Sequence, residues 1–181
     1  MKKIVLTYGL LSGVVIFVLV WLIASLCEKS VIDLDKAQLV GYGSMIIALA
    51  MVFFGIKSYR DNYGNGKITF WKGVQIGLLI SLIGGLMYFL GGETYNYTHP
   101  GFQETFVAKY VDYTSSKMKA SGASQEEVEK TVDDMKKTVK MLENPLIYFA
   151  VSLMEILPVG IIVTLISAAL LRKKEILPAT A

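Results

Sequence analysis

The chain has 181 residues, 54% of them hydrophobic, with a formal net charge of +3 and a positive mean hydropathy. That composition lies outside the ordinary soluble range, and the length suits one domain. The basic residues are spread over several segments, which excludes the basic face of a nucleic-acid binder; the single Cys27 and single His99 exclude a disulfide, a cysteine zinc cluster and a histidine metal site.

Lys2 and Lys3 open the chain, and an apolar run follows from Ile4 to Leu26. At about 23 residues, this run is longer than a signal-peptide core and can cross roughly 30 Å of hydrocarbon. Lipidation at Cys27 would need a small residue before it, and Leu26 stands there. The run therefore reads as a retained span. A short connection leads to a second span, Leu39 to Ile56, and Asn62, Gly64 and Asn65-Gly66 predict a tight reversal after it. The third span is Val74 to Leu90 and the fourth Leu146 to Leu171.

The long connection from Gly92 to Asn144 has a pattern of its own. Phe102, Phe106, Tyr110, Tyr113 and Lys117 recur at helical spacing among polar residues. Ser121-Gly122 breaks that helix. Ser124 starts another as an N-cap, with Glu127 three residues on to complete a capping box. Val128, Val132, Met135, Val139 and Leu142 then form a seam like that of a coiled coil. Pairs Glu126–Lys130 and Asp133–Lys137 have the i,i+4 spacing that favours a helix, and Asn144-Pro145 stops it. The expected fold is an all-α membrane protein of four transmembrane helices, with an extracytoplasmic helical hairpin (residues 92–144) between the third and fourth.

Orientation follows from the distribution of positive charge. Lys2, Lys3, the cluster Lys57, Arg60, Lys67 and Lys72, and the run Arg172, Lys173, Lys174 flank the spans so that both termini and the second connection fall in the cytoplasm. The same residues make a basic rim suited to anionic lipid headgroups. Membrane lipids, and a second copy or another membrane protein, are the expected partners. No glycine-rich phosphate loop accompanies the rim, and no cofactor is expected.

Three stretches carry a family resemblance: Met45-Ile46-Ile47-Ala48 through Phe53-Phe54-Gly55-Ile56-Lys57-Ser58-Tyr59-Arg60-Asp61 with Asn65-Gly66-Lys67-Ile68, Lys119-Ala120-Ser121-Gly122-Ala123-Ser124, and Leu153-Met154-Glu155-Ile156-Leu157-Pro158-Val159-Gly160. Together they resemble the bacterial family catalogued as domain of unknown function 4199, common among Bacteroidota. The resemblance covers essentially the whole chain and implies four spans in the inner membrane. It implies no activity.

Glu155 is the sharpest candidate for function. It lies about nine residues, or roughly 14 Å, into the fourth span, where an acid costs on the order of 3 kcal/mol to insert. It should face the bundle and find a partner, and Ser81 on the third span falls at similar depth. Two readings stand: a protonatable site for an ion or small substrate, or a hydrogen-bonded tie between helices. Pro158, three residues on, frees a backbone carbonyl beside the acid. Gly73, Gly77, Ser81 and Gly85 form a small-residue stripe, with a shorter one at Gly9 and Gly13; such stripes serve internal packing or homodimerisation. Glu93, Tyr95, Tyr97 and His99 cluster past the third span, where tyrosines suit an interfacial belt.

No catalytic grouping of side chains is present, so an enzyme is not expected. A membrane scaffold or interaction protein is the first functional reading. A small transporter or channel subunit working through Glu155 is the alternative.

Overall fold

A computed structural model of the chain describes residues 1–172. Among them are six α-helices and no strand: α1 Lys2–Glu28, α2 Leu34–Tyr63, α3 Phe70–Thr98, α4 Phe102–Ala120, α5 Gln125–Leu142 and α6 Pro145–Leu171. Helices α1, α2, α3 and α6 are each long and apolar enough to cross a membrane, which is compatible with a multi-pass membrane protein. Their outward faces carry large apolar side chains such as Leu10, Ile47, Leu82 and Ile166. Water would not tolerate that surface, whereas lipid would.

The helices overrun the apolar runs. Helix α2 begins at Leu34, because Asp33 supplies an extended N-cap position ahead of Leu39. Helix α3 passes through Gly91 and Gly92 and ends only at Thr98. Gly91 lies buried against Phe17 and Val20 of α1, so close packing rather than chain reversal explains that glycine. Between α2 and α3, the N–H groups of Gly64 and Gly66 donate to the Arg60 carbonyl at 3.2 and 3.0 Å. Asn65 and Gly66 take φ of 48° and 78° there, the left-handed region that Asn and Gly tolerate best.

Small residues set how closely the four long helices approach. A Cβ on Gly73 would meet Ala168, one on Gly77 would meet Thr164, one on Gly160 would meet Ser81, and one on Gly85 would meet Leu153 and Ile156. Each four-residue step along α3 is thus matched by a four-residue step back along α6, the signature of an antiparallel pair with a small-residue seam. Gly9 and Gly13 of α1 lie in the same way against Ile83 and Met87 of α3, in parallel register. Both stripes therefore face neighbours within the chain. Ser12 of α1 donates from Oγ to the Ala48 carbonyl of α2 at 2.9 Å. Leu49, Val52, Ile56, Ile76, Ile80 and Ile156 fill the centre and are fully buried.

Helices α4 and α5 form the hairpin. Gly122, at φ 86°, turns the chain between them. Ser124 caps α5: its Oγ accepts from the Glu127 N–H at 3.3 Å, and the Ser124 N–H donates to Glu127 Oε2 at 2.8 Å. Both halves of the capping box are formed. The seam residues Val128, Val132, Met135, Val139 and Leu142 are the shielded face of α5, with Val128 buried. The two expected i,i+4 pairs differ: among the described residues no ion pair joins Glu126 to Lys130, and Lys137 meets Asp134 at 3.3 Å rather than Asp133.

Candidate functional site

The hairpin does not lie flush on the bundle. Between them is a cavity of about 830 Å³. Its hairpin wall is the stripe Phe102, Phe106, Tyr110, Tyr113 and Lys117, joined by Met135, Val139 and Leu142 of the α5 seam. Its bundle wall includes Ile16, Val20 and Ile23 of α1, Tyr42 of α2, Tyr88 of α3, and Tyr148 and Glu155 of α6. Glu155 and Lys117 are the charged residues among those lining it.

Glu155 lies ten residues into α6, about 15 Å from its start at 1.5 Å per residue. The Tyr88 hydroxyl donates to Glu155 Oε2 at 2.7 Å. This bond joins α3 to α6, so the acid does tie two helices. However, its side chain is exposed toward the cavity rather than sealed in a helix contact, contrary to the expectation that it faces the bundle interior. Ser81 is fully buried against Gly160, and no hydrogen-bond partner reaches its Oγ. The depth count singled out Ser81, but the α3–α6 register brings Tyr88 to the acid instead. Helix α6 continues unbroken through Pro158, which is exposed on the bundle surface.

Tyr148 reaches the same region from about two turns nearer the start of α6. Its ring packs on Phe89 with centroids 5.5 Å apart, and its hydroxyl lies against the bare backbone of Gly92. Any side chain at Gly92 would displace that hydroxyl. Tyr42 of α2 and Tyr88 of α3 line the same cavity. One phenol, Tyr88, thus holds the carboxylate, and two more line the same cavity, each of the three carried on a different transmembrane-length helix.

Two lysines of α4 fasten the hairpin over this cavity. Lys109 Nζ donates to the carbonyls of Cys27 and Glu28 at 3.3 and 3.4 Å and to Ser30 Oγ at 2.8 Å. Helix α1 has no basic residue in its last turn. Lys109 supplies from α4 the cation that these terminal carbonyls and the helix dipole favour. Lys117 Nζ donates to Asp35 Oδ1 at 3.0 Å and to the Tyr113 hydroxyl at 2.6 Å, and Tyr113 also donates to Asp35. The Tyr113 hydroxyl and the Asp35 carboxylate hold the Lys117 ammonium above the usual lysine range. Asp35 in turn sits in the first turn of α2, where an acid complements the dipole.

An aromatic group seats the other corner. Tyr95 is enclosed by protein: its ring stacks on His99 at 4.1 Å, meets Trp21 edge-on, and its hydroxyl donates to Glu28 Oε2 at 2.7 Å. Phe102 at the start of α4 packs on the same Tyr95 ring. Tyr97, by contrast, points outward, and Glu93 is half-buried.

The basic side chains Lys57, Arg60, Lys67, Lys72 and Arg172 gather where α2 ends, α3 begins and α6 ends, opposite the hairpin. Arg60 pairs with Asp61 at 2.7 Å, and Lys72 Nζ donates to Gln75 at 3.1 Å. Lys173 and Lys174 lie outside the described residues.

The DUF4199 family, whose description reads protein of unknown function, matches residues 7–173. The chain belongs to DUF4199. That match spans all six helices of the fold, so hairpin and bundle both fall within the region the family covers. No curated protein matches the chain, and no solved structure does. Membership in DUF4199 supplies the family and leaves function to the geometry. Sequence reasoning missed Tyr88, Tyr148 and Lys109. The one available signal was for Lys109: a helix without a basic last turn needs a cation from elsewhere.

Proposed function

We propose that this DUF4199 chain is a non-enzymatic scaffold or interaction protein of the bacterial inner membrane, with both termini in the cytoplasm and the α4–α5 hairpin outside. The observation that carries the reading is the fastening of the hairpin by Lys109 and Lys117. A helical pair held at two points of the α1–α2 connection presents a fixed surface, and the outer face of α5 is charged, with Glu126, Glu129, Lys130 and Lys136 exposed. A preorganised surface loses less entropy on docking than a loose loop. Gathering of the basic side chains at the opposite end supports the orientation, because positive loops stay inside. The partners of that inner rim are anionic lipid headgroups.

The test has two parts. Lys130→Cys, in a Cys27→Ser background, should react with an impermeant maleimide on intact cells, whereas Lys57→Cys should react only after permeabilisation. A photocrosslinker at position 130 should then capture a defined membrane protein or a second copy. Protection of position 130 overturns the orientation, and absence of any crosslinked species in native membranes overturns the scaffold.

A second reading rests on a different observation. Glu155 is an acid on a transmembrane-length helix, lining a cavity about 15 Å in from the helix start. Such residues mark ion and substrate pathways by default. On this reading the protein is a small transporter or channel subunit, and Glu155→Gln abolishes complementation of a deletion strain. Full complementation by Glu155→Gln removes it.

A further inference from the structure

We propose that the cavity between bundle and hairpin binds an organic cation with an apolar body, its positive centre set against Glu155 within the three tyrosines. The inference deepens the second reading above and rests on it.

Size comes first. About 830 Å³ lies within the range of sites that enclose small molecules, and it is far more than a bare ion needs. The walls come next. Phe102, Phe106 and the aliphatic residues of α1 offer apolar surface to most of any occupant, which suits a hydrophobic body and not a sugar or a polyanion.

Charge then decides the class. Of the two charged residues on the lining, Lys117 is already engaged by Asp35 and Tyr113. Glu155 has one donor, Tyr88, on Oε2. A carboxylate has about four lone-pair sites, so most of its accepting capacity stays open to the cavity. A carboxylate in apolar surroundings is compensated by a proton or by a cation brought to it. Tyr42, Tyr88 and Tyr148 also line the cavity, and aromatic rings attract a cation through their negative quadrupoles, most strongly one that is poorly hydrated. An ammonium or phosphonium on an apolar body satisfies wall, acid and rings together. An anion of the same shape meets the carboxylate with like charge.

An ammonium could come from a free solute or from an amine-bearing lipid, and the probe separates these. Full-length protein in nanodiscs of phosphatidylglycerol is titrated with tetraphenylphosphonium by equilibrium dialysis. The expected result is saturable binding near one per chain. Glu155→Gln should weaken it tenfold or more, and Tyr88→Phe severalfold, with thermal stability of both variants checked alongside. Tetraphenylborate, of like shape and opposite charge, should not bind. Lowered phosphonium affinity in nanodiscs containing phosphatidylethanolamine identifies the lipid amine as the natural source; unchanged affinity identifies a free solute.

Absence of saturable binding overturns the site, as does binding indifferent to Glu155→Gln or matched by tetraphenylborate. Should Glu155→Gln prove unstable, Tyr148→Leu and Tyr42→Leu, which remove the rings, test the same cage, and phosphonium affinity unchanged in both overturns it. Binding without Glu155-dependent movement of the cation in proteoliposomes removes the carrier reading and leaves the site. Loss of complementation by Glu155→Gln without any cation binding does the reverse.

Discussion

Ser81 and Gly160 share one place in the α3–α6 seam: a Cβ on Gly160 would fall 2.8 Å from both Cβ and Oγ of Ser81. The serine hydroxyl there is buried and unpartnered, so its volume matters more than its polarity. Gly160→Ala is expected to destabilise the bundle by about 1–3 kcal/mol, the usual range for overpacking. Ser81→Gly in the same chain removes both clashing atoms and should restore most of the loss. Thermal unfolding in detergent of the two single variants and the double variant forms the cycle. Additive losses would mean that the seam does not interlock here.

Lys109 is expected to hold α4 against the end of α1. Lys109→Met keeps the apolar stem and removes the ammonium that meets Cys27, Glu28 and Ser30. Charge-assisted bonds contribute roughly 1.5–3 kcal/mol. Local opening at that corner should rise accordingly, by about tenfold or more. Cys27 is buried and is the chain's single cysteine, so it reports the opening directly. Its labelling by a small maleimide should accelerate in Lys109→Met and stay slow in Lys119→Met, whose side chain lies beyond the contact.

The start of α5 should be sensitive to acid. The Ser124 N–H, then the Ser124 hydroxyl, hold the Glu127 carboxyl below its ordinary value of 4.5. A carboxyl depressed in the folded chain stabilises fully above that ordinary value, and the contribution fades as pH falls through the lowered one. Amide protection factors at the first turn of α5, taken relative to the intrinsic exchange rate at each pH, should therefore fall below about pH 4. In Glu127→Gln the protection factors should be nearly flat across that window. Ser124→Ala should cost about 1 kcal/mol at neutral pH, as N-cap losses do.

Tyr95 separates stacking from hydrogen bonding. Tyr95→Phe keeps the His99 and Trp21 ring contacts and loses the hydroxyl with its 2.7 Å bond to Glu28. A loss of about 1–2 kcal/mol is expected, since the acceptor is a carboxylate that water can partly reach. Tyr95→Leu, which also removes the rings' partner, should cost more, by roughly 0.5–1.5 kcal/mol for each aromatic pair. Equal melting temperatures for the two variants would assign the whole effect to the hydroxyl.

Much of the architecture was legible because it follows from one-dimensional patterns. Four apolar runs marked the long helices. The spacing of Phe102, Phe106, Tyr110, Tyr113 and Lys117 marked a single face, and all five line the cavity. Ser124 and Glu127 carry their own local chemistry and formed the capping box that their spacing predicts. What escaped depends on register between helices. Helical periodicity says which residues share a face of α3, but not which residue of α6 each one meets. Counting depth selected Ser81 as level with Glu155; the glycine seam shifts the pairing so that Gly160 takes Ser81 and Tyr88 takes the acid. The enclosure of Tyr95 escaped for the same reason, since one ring that encloses it, Trp21, lies on a helix far away in sequence.

The lysines of α4 reach back along the chain to residues made long before them: Lys109 to the end of α1, Lys117 to the start of α2. During synthesis, that corner is therefore complete when α4 emerges, and the hairpin can dock before α6 exists. The glycine seam of α3 is the last surface left open. The final helix is then delivered by a nascent hairpin already anchored at its base, which shortens the search for the one register in which Gly160 meets Ser81.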